Sequence, residues 1–223
     1  SQKSTRLLDL SNELAAVNNI FELLLHQNIL YIATRVGVFA LNTETKAWKK
    51  LPAVTSTEIS SDSFSAVGAN KVYNLNISAT NDLYLGTDHG VYSLAVNKVN
   101  NYLAGDFQLP AYKVITDAVS SWQLYADGDH LYQGSHLGLS VINTTTDTTE
   151  FLFSFNEFFD HIKSNDVVSI MKDKRGSFWL GSTATGLYKW DPKRSLISNY
   201  GYKKDNANSL TDNVIWFITA LRS

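Results

Sequence analysis

Few residues of this chain that could carry chemistry stand at spacings that chemistry requires. Asp127-Gly128-Asp129-His130 looks like the opening of a calcium loop. The later ligands of such a loop do not follow, and Asp-Gly is the commonest hairpin turn, so the stretch reads as a turn. The histidines His26, His89, His130, His136 and His161 form neither an HxH nor an HExxH pair, spacings that place two imidazoles on one metal. There are no cysteines, which removes disulfides, thiolate ligands and thiol nucleophiles together. A Gly-x-Ser-x-Gly elbow, a Walker loop and a dinucleotide glycine pattern are all missing. Aspartates such as Asp173, Asp191 and Asp205 fall at turns, where a carboxylate caps the backbone. A carboxylate pair placed for glycoside hydrolysis stays open as an alternative. The expectation is no catalytic residue, no metal and no cofactor.

Arg35, Asp88, His89, His136 and Thr183 are more informative. Each follows, by one or two positions, a small residue and a Thr or Ser: Ala33-Thr34, Gly86-Thr87, Gly134-Ser135 and Gly181-Ser182. They differ in charge and size while the residues around them repeat, and variation on a repeated scaffold is what a binding surface requires. They are the candidate ligand-binding residues. For any single one of them a solvated loop residue is the plainer reading. Trp122, Trp190 and Trp216 could stack on a sugar, but their strand positions favour packing between units.

The elements that would position these residues recur. ILYIATRVGVFALNTET from Ile29, DLYLGTDHGVYSLAVNK from Asp82, HLYQGSHLGLSVINTTT from His130 and SFWLGSTATGLYKWDPK from Ser177 share one phrase. Its aromatics, Tyr31, Tyr84, Tyr132 and Trp179, lie 53, 48 and 47 residues apart. That period belongs to propeller blades rather than to helical or leucine-rich repeats. The small residue suits a close approach of sheets, the hydroxyl can tie a turn, and the glycine after it (Gly37, Gly90, Gly138, Gly186) supplies positive φ. An apolar strand precedes each phrase, from Val17, Val72, Ser120 and Asp166. A further strand follows each, at AWKKL, NNYLA, TEFLFSF and ISNYGY. Four antiparallel strands per unit result. SNELAAVNNIFELLL has partial helical spacing, and its second half reads as strand by analogy with the other units.

The expected fold is therefore all-β, a β-propeller in one domain over 1–223, with blades at about 12–51, 64–104, 112–155 and 164–202 and a partial fifth at 208–223. Val214–Thr219 has the pattern of another first strand. Sheet edges and faces left open need covering, so either self-association or further blades is expected.

With 44% hydrophobic and 18% charged residues the chain suits a folded globular protein and not a disordered one. A net charge of −2 offers no footprint for nucleic acid or an anionic membrane surface. No apolar run reaches the roughly 20 residues of a membrane helix, and SQKSTRLLDL does not read as a signal peptide.

DNANSLTDNVIWFI (205–218) and DKRGSFWLGSTATGLYKWD (173–191) resemble the signature of the two-component regulator propeller repeat. TNDLYLGTDHGVYSL fits it as well; the first unit, with Ala33, and the third, with Gln133 at an apolar position, fit less closely. The resemblance implies a periplasmic sensor domain of a membrane-bound bacterial signalling protein, whose output module is a histidine kinase, hybrid kinase or diguanylate cyclase. It implies a non-enzymatic domain that senses a small ligand and passes the signal through dimeric contacts; a saccharide is the ligand class that family analogy favours. Two alternatives are kept, a propeller glycosidase or lyase and a protein-interaction scaffold.

Overall fold

The structure, a computed structural model, describes residues 19–52, 71–106, 112–117, 119–154 and 165–219. The first sheet holds β1 (Ile20–His26), β2 (Ile29–Thr34), β3 (Gly37–Asn42) and β4 (Trp48–Lys50). The second holds β5 (Val72–Ile77), β6 (Asp82–Thr87), β7 (Gly90–Ala95) and β8 (Lys113–Asp117), with α1 (Val96–Leu103) between β7 and β8. The third is β9 (Gln123–Asp127), β10 (His130–Ser135), β11 (Gly138–Asn143) and β12 (Thr148–Phe153). The fourth is β13 (Ser169–Lys172), β14 (Phe178–Gly181), β15 (Leu187–Asp191) and β16 (Leu196–Tyr200). In every sheet the strands lie in chain order and pair antiparallel. The first strands touch in succession, β1 on β5, β5 on β9 and β9 on β13, so they are innermost. This is the radial arrangement of a β-propeller.

Most of the core is shared between sheets, the cluster of Ile32 and Phe39 with Leu30 and Val36 in the first sheet apart. Tyr31, Ala33 and Val38 of the first pack with Leu75, Leu83 and Tyr92 of the second. Tyr84 and Val91 of the second meet Leu124, Leu131 and Ile142 of the third. Leu139 and Phe153 of the third meet Ile170, Phe178 and Leu180 of the fourth. A single blade could not bury its apolar face, so stability resides in the shared interfaces.

The repeated phrase has the mechanics expected of it. A Cβ on Gly134 would lie 2.5 Å from the Val167 carbonyl oxygen, and one on Gly86 2.9 Å from that of Ser121. The small residue lets the next blade's first strand approach. Thr34 and Thr87 donate to the carbonyls of Gly37 and Gly90 at 2.8 and 2.9 Å and accept the amides of Val36 and His89. Gly138 shows why glycine closes this turn: φ is 131°, and a Cβ would lie 2.3 Å from the Phe153 carbonyl oxygen.

Three expectations are corrected. NNYLA does not form the outer strand of the second blade; it lies in and just beyond α1, because Val96, Val99 and Leu103 recur at helical spacing and are buried against the core. The outer strand is β8, in residues the sequence reading gave to the third blade. Val214–Thr219 forms no ladder, since a first strand pairs with a second strand and none is described after it. Its entry is nevertheless that of a first strand: the Ile215 amide donates to the Ser182 carbonyl at 2.8 Å, as Val167 does to Ser135 and Ser121 to Thr87. Asp127–His130 is the β9–β10 turn, with Gly128 at φ 63°. The helical half of SNELAAVNNIFELLL falls outside the described residues, and its second half is β1.

Candidate functional site

The inter-blade amide bonds fix the register of the first strands. Counting from them, Phe21, Tyr73, Trp122, Val168 and Trp216 occupy one position in five successive units. Four of these five are aromatic. They face a cavity of about 520 Å³, whose wall is completed by Glu22, Asn74, Gln123, Thr183 and Phe217. The Phe21 and Tyr73 rings are 5.2 Å apart and tilted by 58°. Large flat apolar faces with amide and carboxyl groups one residue along are the combination that holds a ring-shaped polar ligand, the faces taking its C–H surface and the polar groups its hydroxyls.

The polar wall is ordered by the same repeat. Glu22 Oε2 accepts from Asn74 Nδ2 at 2.6 Å and from the Leu75 amide at 2.5 Å. One blade on, Asn74 Oδ1 accepts from the Leu124 amide at 2.8 Å. Side chains on β1 and β5 thus reach the backbone of the next first strand, tying the first three blades at the level of the cavity. Burial raises the Glu22 carboxyl from 4.5 to about 7, against the Leu75 hydrogen bond that lowers it.

The five residues expected from the sequence all lie in the turns between second and third strands, at the cavity's end of the molecule. Thr183 is on the cavity wall. Its amide and hydroxyl both donate to Asp166, which also accepts from Ser182 Oγ at 2.7 Å. Arg35 and Asp88 flank Tyr73: burial raises the phenol, the Asp88 charge raises it further and the Arg35 charge opposes both. His136 stands beside Trp122, ring centres 6.3 Å apart. His89 is exposed and its Nδ1 lies 3.2 Å from Asp88 Oδ1. Of the five, Thr183 is on the cavity wall; Arg35, Asp88 and His136 neighbour the wall residues Tyr73 and Trp122, and His89 is not among the lining residues.

Sequence reasoning missed Phe21, Glu22, Tyr73 and Asn74, and it placed Trp122 and Trp216 in inter-blade packing. Both tryptophans line the cavity. Trp190 does pack between blades, on Phe153, Phe178 and Tyr132. The signal was available: with the first strands aligned, Phe, Tyr, Trp, Val and Trp fall in one column.

Among the described residues no three His, Asp or Glu side chains converge as metal ligands. No helix among them is long and apolar enough to cross a membrane.

Residues 161–184 match the family model of the two component regulator propeller, a span that takes in Asp173–Thr183 of the fourth unit's signature. No curated protein sequence matches the chain. Among solved structures, the chain is similar to the extracellular domain of BT4673 from B. thetaiotaomicron, assigned to a one component or a hybrid two component system, with TM-score 0.70 and 16% identity over 92% of this chain and 25% of that one. The extracellular domain of BT3049, a hybrid two component system of the same organism, aligns with TM-score 0.51 and 17% identity over 95% of this chain and 32% of that one. The WD40 propeller domain of Doa1 aligns with TM-score 0.58 and 9% identity over 91% of this chain and 57% of that one. The propeller fold is shared by all three. The chain spans about a quarter to a third of the length of the two bacterial domains.

Proposed function

We propose that this chain is the ligand-sensing propeller, or part of one, of an extracytoplasmic domain in a membrane-bound bacterial signal-transduction protein. The observation that carries the reading is the cavity at the inner strands, to which four units and the start of a fifth each contribute a residue at the same repeat position. A ligand seated there touches every unit at once, so its binding free energy can favour one arrangement of the blades over another. The repeat signature and the extracellular domains that share the fold support the extracytoplasmic sensor reading. Aromatic faces beside Glu22, Asn74 and Gln123 support a saccharide as ligand.

A non-catalytic role is favoured over glycoside hydrolysis by the wall itself. Glu22 is the one carboxylate among its described lining residues, whereas hydrolysis needs a pair roughly 5–10 Å apart. Apolar side chains lie open at both ends of the blade series: Leu23 and Leu25 on β1, Trp216 and Phe217 after the fourth sheet. Further blades or another copy of the chain would cover them. The test is calorimetry against a panel of neutral and acidic oligosaccharides. Saturable binding of at least one, lost in Trp122→Ala, supports the proposal. Heat without saturation across the panel, or turnover of a sugar, overturns it.

A further inference from the structure

Each sheet carries one cross-strand pair at the same place in the repeat. Ile32 faces Phe39, Leu85 faces Tyr92 and Leu180 faces Tyr188. All six are buried, and the pairs of the second and fourth sheets belong to the cores those sheets share with the preceding blade. In the third sheet the pair is Gln133 and Ser140. An amide stands where the others have an aliphatic chain, and a hydroxymethyl group where the others have an aromatic ring.

Space opens as a result. A cleft of about 300 Å³ lies between the second and third sheets, lined by this pair with Ile115, Thr116, Val119 and Leu137. Gln133 is 3% exposed, and its Nε2 has no hydrogen-bond partner. Removing a core aromatic and burying an amide donor unpaired are each destabilising. Both occur here at one pair, while the other sheets keep the apolar and aromatic combination. That is the pattern of a place where a bound molecule completes the packing, since unpaired buried donors are rare and need a cause. Among the described residues no charged side chain lines the cleft, so a charged guest would be buried without a partner. Leu137, in the β10–β11 turn and half-exposed, marks the opening, on the cavity's end of the molecule.

We infer that this cleft is a second ligand site, taking an uncharged, ring-sized molecule whose hydroxyl or carbonyl oxygen accepts a hydrogen bond from Gln133 Nε2. It is separate from the axial cavity, so failure of either site leaves the other standing. The probe is p-cresol, which carries the ring and hydroxyl that tyrosine supplies in the second and fourth sheets. On the full chain, p-cresol at millimolar concentration gives a saturable shift of the Gln133 side-chain amide resonance and raises Tm. The double variant Gln133→Leu/Ser140→Tyr restores the repeat's own pair; it melts higher than the parent chain, and p-cresol no longer raises its Tm. Should that variant not fold, Gln133→Met keeps the bulk and removes the donor, and p-cresol binds it about fivefold more weakly. An amide resonance that does not move, the donor then being served by water alone, overturns the inference. So does p-cresol stabilising the double variant as much as the parent, or binding Gln133→Met undiminished.

Discussion

Glu22 is a residue whose chemistry the fold alters strongly. Two donors hold one of its oxygens while burial lifts its carboxyl from 4.5 to about 7. A carboxyl with a higher pKa folded than unfolded holds its proton more tightly in the folded chain. The stabilisation from that proton is complete below pH 4.5 and is lost as pH rises towards 7. In urea unfolding across this window, the parent chain is expected to lose on the order of 2–3 kcal/mol that Glu22→Gln does not lose. Parallel pH profiles for the two would show that Glu22 ionises as freely folded as unfolded. The role of Glu22 was not legible in the sequence, because an isolated glutamate in an apolar run has no local signature. Burial is what raises its pKa, and the blade it is hydrogen-bonded to lies 52 residues along the chain, at Asn74.

At the scale of the element, most of the blade was legible. The strand alternation, the small residue, the hydroxyl and the second glycine are all local, and each does in the structure what its chemistry requires. The glycine contact gives a graded expectation. Gly134→Ala forces a Cβ to 2.5 Å from the Val167 carbonyl, Gly86→Ala to 2.9 Å from that of Ser121. Both are expected to destabilise by about 1–3 kcal/mol, Gly134→Ala the more; equal denaturation midpoints for parent and variants would contradict that contact. What the sequence hid was the end of the second blade. NNYLA is a short stretch ending in three apolar residues and passes for a strand, but Val96, Val99 and Leu103 together make a helical face against the core. Period two and period 3.6 cannot be told apart in five residues.

The molecule is a stack whose larger interiors are interfaces, and apolar side chains stay open at both ends of it. Leu23 and Leu25 are 57% and 62% exposed at one end of the series, Trp216 and Phe217 70% and 78% at the other. Purified alone, the chain is therefore expected to associate with rising concentration in light scattering, and Leu23→Lys/Leu25→Lys to weaken that association. A monomer at all concentrations would count against open faces. The radial order itself was legible from the repeat period, since four copies of one hairpin phrase have few ways to shield one another. The aromatic wall went unread, because its members lie about fifty residues apart and form a column only once the first strands are aligned.

Intrinsic fluorescence tests the central claim most directly. Trp122 and Trp216 line the axial cavity, while Trp190 is packed between blades and Trp48 lies on the outer strand of the first sheet. A saccharide that binds in the cavity must shift and saturate the indole emission, with the response reduced in Trp122→Ala and in Trp216→Ala and retained in Trp48→Phe. Calorimetrically detectable binding that leaves the emission unchanged, or that persists at full strength in both alanine variants, would place the ligand elsewhere and contradict the account.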